Sequence, residues 1–172
     1  MPHPAPTRSI ETSLVLLTPH LLPCPAGPDI DKSSSSMQLT RAADYGIRVM
    51  IYLAALPADT RVMLPALAAA TGAPRSFLSK ILQALSHAGL ITSRRGQAGG
   101  FQILAPGREA SVRTVIEIIE GPVTLNRCLA NGESCNRKAW CPAHPVWVRA
   151  QQAMIEVLDA AKIADLALST HA

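Results

Sequence analysis

Residues 64–104 carry a punctuation that leaves few folds open. Leu64–Thr71 reads as a short helix, with Pro65 near its start and Gly72 after its end. Pro74 suits the first position of a second helix, whose apolar face is Leu78, Ile81, Leu82 and Leu85 and which Gly89 ends. Two helices joined by a tight turn at Gly72 and Ala73 make a helix-turn-helix pattern. Two short strand candidates follow, 90–93 and 101–104, separated by Arg94-Arg95-Gly96-Gln97-Ala98-Gly99-Gly100. A glycine-rich, arginine-led hairpin in this place is a wing. Gly96, Gly99 and Gly100 permit a tight turn and close approach of the backbone to a phosphate chain. Arg94 and Arg95 supply charge and can reach into a minor groove.

The helix before the predicted wing carries Arg75, Ser76, Ser79, Lys80 and Gln83 on the face away from its apolar side. These are donors suited to phosphates and base edges. A polar helix face is also what any solvated surface helix shows. The wing beside it makes DNA binding the better reading.

The surrounding periodicity is helical. Leu39, Ala43, Ile47, Met50, Ile51 and Ala54 mark a first helix, with Thr40 as its N-cap and Pro57 and Asp59 closing it. Residues 111–120 read as a helix with Val112, Val115, Ile116 and Ile119 on one face, stopped by Gly121 and Pro122. Pro145 can start a long helix striped by Val146, Ala150, Ala153, Met154, Val157 and Ala161, and 163–168 is a final short one. The long helix has little core of its own to cover, so packing on its copy in a second subunit is the favoured reading over folding back on its own domain. A symmetric homodimer presents two recognition helices to two half-sites. The expected fold is mainly α: a winged helix-turn-helix DNA-binding domain with a long C-terminal dimerisation helix.

Between the last two long elements lies 127–147, RCLANGESCNRKAWCPAHPVW, with Cys128, Cys135, Cys141 and His144 spaced C-x6-C-x5-C-x2-H. Gly132 and Pro142 mark it as loop. Three thiols and an imidazole so close in sequence can converge on one soft-metal centre, because thiolates select zinc, copper(I) or iron–sulfur groups over hard cations. A Cys3His set fits structural zinc, but zinc sites commonly use paired C-x2–4-C ligands, and this loop has none. That absence favours a cluster, for which mixed Cys/His ligation has precedent. No apolar run approaches the ~20 residues of a membrane span. The short apolar run at 14–17 falls short of the roughly 7–15 residues of a secretory signal. A cytoplasmic protein is expected, where clustered cysteines favour metal over disulfides.

Residues 1–36 hold seven of the fourteen prolines and end in four serines, which reads as a disordered extension. Met37 opens the periodic sequence and is a candidate natural start; Cys24 in the extension is treated as incidental. From Met37 onward there are 14 Lys+Arg against 9 Asp+Glu, a mild basic excess that permits a nucleic-acid partner. The division expected is 1–36 extension, 37–108 winged DNA-binding domain, 109–144 linking helix and metal loop, and 145–172 dimerisation helix and C-terminal tail.

From 37 to 168 the sequence resembles the Rrf2 family of bacterial transcription regulators. MQLTRAADYGIRVMIYLA is similar to the family's first helix, FLSKILQALSHAGLITSRRGQAGGF to its recognition helix and wing, and RCLANGESCNRKAWCPAHPVW to its iron–sulfur site. The resemblance implies a dimeric winged-helix regulator, usually a repressor, whose affinity for double-stranded promoter DNA depends on an iron–sulfur cluster of [2Fe–2S] or [4Fe–4S] type. It implies that Cys128, Cys135 and Cys141 are cluster ligands. In the branch that regulates iron–sulfur assembly, a histidine three residues after the last cysteine completes the set, and His144 matches it. In the nitric-oxide-sensing branch, an aspartate of the first helix of the other subunit does so, and Asp44 matches that one. His144 is favoured, since loop geometry alone can place it. The first cysteine gap is six residues here, against about four or five in those branches. The signals implied are nitric oxide, redox stress or iron and cluster status. The rivals are a zinc-stabilised winged-helix regulator, with zinc in place of the cluster, and a redox enzyme. The enzyme reading lacks a dinucleotide fingerprint and any CxxC pair.

Overall fold

The structure is a computed structural model, and it describes residues 39–96, 99–130 and 135–169. The extension 1–36, Met37 and Cys24 lie outside the described residues. The chain order is α1 Arg41–Ala55, α2 Leu64–Thr71, α3 Arg75–His87, β1 Ile91–Arg94, β2 Gly100–Ile103, α4 Ala105–Glu109, α5 Val112–Glu120, α6 His144–Ala160 and α7 Ile163–Ser169. A 3-10 turn, Arg127–Leu129, precedes α6. This is the mainly helical, winged helix-turn-helix architecture the sequence predicts.

Helix α1 starts where Thr40 caps it: its Oγ1 accepts from Ala42 N at 3.1 Å and Ala43 N at 3.5 Å. Glu120, at the end of α5, accepts from the Thr40 backbone N at 2.9 Å and from its hydroxyl. A carboxylate is thereby held at the positive end of the α1 dipole. The buried side of α1 is Ala43, Gly46, Val49, Met50, Leu53 and Ala54. Gly46 lets α5 come close, since a Cβ there would stand 2.1 Å from Ile119 Cδ1.

The turn between α2 and α3 depends on Gly72, which caps α2 at φ 69° and donates its N–H to Ala68 O at 3.0 Å. Pro74 sits at the N-cap of α3, one residue outside the helix it was expected to begin. Leu78, Ile81, Leu82 and Leu85 are all buried, as the spacing predicts. β1 and β2 pair antiparallel from Ile91↔Ile103 to Arg94↔Gly100, shifted by one residue from the expected spans. Val62 extends the hairpin, exchanging two 2.9 Å backbone bonds with Phe101.

Helix α4 is not signalled by the sequence, because Pro106 and Gly107 read as breakers. Proline is tolerated in a first helical turn, where its missing N–H is unpaired anyway. The helix places Arg108 under the end of α1, where its guanidinium donates to Ala54 O at 2.6 Å and Leu56 O at 2.7 Å. Those carbonyls have no partner within the helix, so the contact ties α4 to α1.

Helix α6 has no buried residue, and Val146, Val148 and Val157 on it are exposed. Its C-terminal end is pinned to α5: Arg113 meets Asp159 at 2.9 Å, and Ser111 Oγ donates to Asp159 at 3.2 Å. Val112 N donates to Ala161 O at 2.9 Å, and Ile163 N to Ala110 O at 3.0 Å. α7 then returns to the winged unit, with Ile163 and Ala167 buried in the same core as α1, α3 and α5.

The hydrogen bond from Arg113 holds the Asp159 carboxyl below its ordinary value of 3.8; desolvation is the next largest effect and opposes it, while the hydroxyl of Ser111 and the charges of Arg113 and Lys162 add smaller lowering contributions. A depressed carboxyl stabilises the fold above its unfolded pKa and loses that contribution as pH falls through the folded value. The α5–α6 tie is therefore expected to be intact at neutral pH and to weaken only below about pH 4. Asp159→Asn should remove that acid-side step from a pH titration of thermal stability. An unchanged profile in the variant would show that the pair contributes nothing.

Candidate metal centre and nucleic-acid interface

The loop after α5 is shaped by short-range backbone bonds. Leu129 N donates to Asn126 O at 2.9 Å, Lys138 N to Cys135 O at 3.1 Å, and His144 N to Cys141 O at 3.1 Å. Pro145, at the second position of α6, leaves no orphaned donor. These turns place Cys128 and Cys141 half-buried and Cys135 exposed, all three as free thiols.

Cys128, Cys135, Cys141 and His144 line one cavity of about 360 Å³ at the start of α6, together with Asn126 and Trp147. The structure thus brings the four expected donors to one wall. His144 Nδ1 is buried and has no hydrogen-bond partner. A buried polar atom without a partner costs about 1–3 kcal/mol, so such an atom beside three thiols fits a ligand position. Among the described residues, no group of three or more His, Cys, Asp or Glu is gathered tightly enough to hold a single ion. Asp44 is elsewhere: it lies in the first turn of α1, half exposed, paired with Arg48 at 2.8 Å. Residues 131–134 lie outside the described residues.

Sequence reasoning missed the rest of the lining. Arg127, Arg137 and Lys138 wall the same cavity. Two basic residues within the cysteine span, Arg137 and Lys138, and Arg127 just before it were the available signal.

The candidate DNA face is exposed except at Gly99 and Gly100, which are buried at the base of the wing. Arg75, Ser76, Ser79, Lys80 and Gln83 all stand exposed on α3, with the Ser79 hydroxyl donating to Arg75 O at 3.1 Å. Phe77, overlooked in the sequence, is 47% exposed on the same helix and rests edge-on against Tyr45, with ring centroids 6.2 Å apart. Arg94 and Arg95 are exposed where the wing begins. The wing's glycines are needed where they stand. Gly96 has φ 101°, and a Cβ on Gly99 would lie 2.3 Å from Arg94 O. Gly100 has φ 124° and backs on Val62. Gln97 and Ala98 lie outside the described residues. Among the described residues no helix is long and apolar enough to cross a membrane.

Comparison with known proteins agrees with this architecture. A family model described as "Rrf2: Iron-dependent Transcriptional regulator" matches residues 39–168. A Mycobacterium tuberculosis protein, named as a candidate HTH-type transcriptional regulator, is 34% identical over 131 residues, 76% of this chain and 81% of its own. Staphylococcus aureus CymR in its oxidized form is similar in structure, with TM-score 0.60 and 29% identity over 76% of this chain and 95% of its own. T. potens IscR aligns with TM-score 0.59 and 25% identity over 77% of this chain and 88% of its own. The family match runs from α1 through the wing and the cysteine loop to α7, and the chain belongs to the Rrf2 family of transcriptional regulators rather than to a family of enzymes.

Proposed function

We propose that the protein is a cytoplasmic, dimeric repressor that binds double-stranded promoter DNA through α3 and the wing, with an affinity controlled by an iron–sulfur cluster on Cys128, Cys135, Cys141 and His144. One observation carries the reading: three free thiols and the unpartnered His144 Nδ1 share the wall of one cavity. The loop has none of the paired C-x2–4-C ligands common in zinc sites, which favours a multi-atom group over a lone zinc ion. When bound, a cluster supplies a centre that reacts with nitric oxide and oxidants and is lost when iron is scarce.

The protein's own part is mechanical. The loop carrying the thiols joins α5, which packs on α1 and α3, to α6. Ligands drawn together on that loop fix the direction in which α6 leaves the winged unit. The exposed Val146 and Val157, on one stripe of α6, support its packing against a second copy. In that arrangement the angle of α6 sets the separation of the two α3 helices. The proposed division keeps 37–108 as the DNA-binding domain, 109–144 as linker and cluster loop, and 145–172 as the dimerisation helix and C-terminal tail, with α7 returning to the core of the winged unit. A coupling of ~1–3 kcal/mol between site and DNA changes affinity several-fold to about a hundredfold.

The test is anaerobic reconstitution followed by DNA-binding titration of cluster-loaded and cluster-free protein. The two forms are expected to differ at least several-fold, and equal binding would sink the sensing idea. Brown protein with visible absorption supports the cluster, whereas colourless protein with stoichiometric zinc supports the alternative of a zinc-stabilised regulator. In the same titration Arg94→Ala with Arg95→Ala should weaken DNA binding uniformly. The salt slope should become shallower by about 0.9 for each phosphate that the arginines no longer neutralise.

A further inference from the structure

The cavity at the start of α6 is walled by charge as well as by donors. Arg137 and Lys138 line it beside the three cysteines and His144, and among the described residues no aspartate or glutamate does. The Arg137 guanidinium lies over the Trp140 ring, 5.8 Å from its centroid. A cation–π contact positions that charge at the site without cancelling it, as a carboxylate would. The ion pairs found among the described residues involve Asp44, Glu117 and Asp159, all away from this cavity.

A group held by three thiolates and a neutral imidazole is anionic in its oxidised state, and one-electron reduction adds a further negative charge. Fixed cations nearby stabilise the more negative state, so they raise the reduction potential. Net charge and exposure are among the factors that set such potentials.

We infer that Arg137 and Lys138 poise the reduction potential of the cluster, favouring its reduced form. The inference rests on the cluster reading above and concerns residues that do not bind the iron. Their sign of action is fixed: without these charges the cluster is harder to reduce and is oxidised by weaker oxidants. Trp140 takes part as the platform that keeps Arg137 in place.

The full-length protein, reconstituted anaerobically, is titrated with dithionite in the presence of redox mediators. Each electron then comes from a defined low-potential reductant, and visible absorption reports the cluster. Arg137→Gln and Lys138→Gln should each move the midpoint to more negative potential, and the double variant should move it further than either. Arg137→Lys and Lys138→Arg keep the charge and should stay near the wild type. The gap between wild type and double variant should narrow in high salt, because both side chains are exposed and exposed charges are screened. An unchanged midpoint in a double variant that still binds the cluster overturns the inference alone. An equal shift in the charge-conserving variants does the same. If the wild type takes up no iron–sulfur chromophore, the cluster reading falls and this inference with it.

Discussion

Gly107→Ala is expected to lower the stability of the winged unit by about 1–3 kcal/mol, in the range of overpacked interiors. The reason is steric pressure on the backbone. A Cβ at this position would stand 2.2 Å from Leu90 O, 3.1 Å from Leu90 C and 2.9 Å from Ile103 Cγ1. The Leu90 carbonyl cannot swing aside, because it accepts the Leu104 N–H at 3.0 Å and lies where α3 hands over to β1. Relief therefore requires α4 to move as a body. That movement would pull Arg108 from the carbonyls of Ala54 and Leu56 at the end of α1. The melting temperature should fall by roughly 2–8 °C for each kcal/mol of stability removed. Gly46→Ala is the useful contrast. Its nearest obstacle is Ile119 Cδ1 at 2.1 Å, the far end of a side chain that can change rotamer, so its cost should be smaller. Equal stability of Gly107→Ala and the wild type in thermal melts would show that α4 does not press on Leu90.

That close approach also marks where the sequence stops being readable. The two helices around Gly72 and the hairpin after Gly89 were legible because their signals are local: a left-handed cap, a proline in a first turn, an apolar stripe. Helix α4 was not, because the meaning of Gly107 lies in Leu90, a residue 17 positions earlier that only the tertiary fold brings against it. Residues 163–168 showed a helical period but not its target, and the core that buries Ile163 and Ala167 belongs to α1 and its neighbours. In the candidate site the donors were legible from their spacing, since free thiols and an imidazole announce their chemistry. The cations were present in the same span, yet spacing in a loop does not say which side chains turn inward. Arg137 and Lys138 became part of the site only when the turns at Cys135 and Cys141 were laid out. His144 and Asp44 stood as rivals in the sequence. In the structure His144 lines the cavity with an unpartnered nitrogen, while Asp44 is engaged with Arg48 on α1.

His144→Ala is expected to shorten cluster retention sharply, while Asp44→Ala should leave it within about twofold of the wild type, as surface substitutions usually do. Cys128→Ala and Cys141→Ala set the scale, since loss of either half-buried thiolate should abolish uptake of the visible chromophore. The energetic case for His144 is that its Nδ1 is buried without a partner, a cost of about 1–3 kcal/mol that ligation would remove. The case against Asp44 does not rest on its ion pair, because exposed i,i+4 pairs contribute only about 0.3–0.5 kcal/mol and break readily. It rests on place: Asp44 is on α1 and does not line the cavity of its own chain, so it could act only on the site of a second subunit. The two arrangements differ in how they respond to dilution. A site closed by His144 is complete within one chain, so the rate of cluster loss should be independent of protein concentration. A site closed by Asp44 of the partner subunit must lose its fourth donor whenever the dimer dissociates, so cluster loss should accelerate on dilution. Chromophore decay measured over a wide range of protein concentration, for the wild type and both alanine variants, separates them. Rapid, dilution-dependent loss in the wild type, with long retention in His144→Ala and none in Asp44→Ala, would overturn the local assignment and move the fourth donor across the dimer.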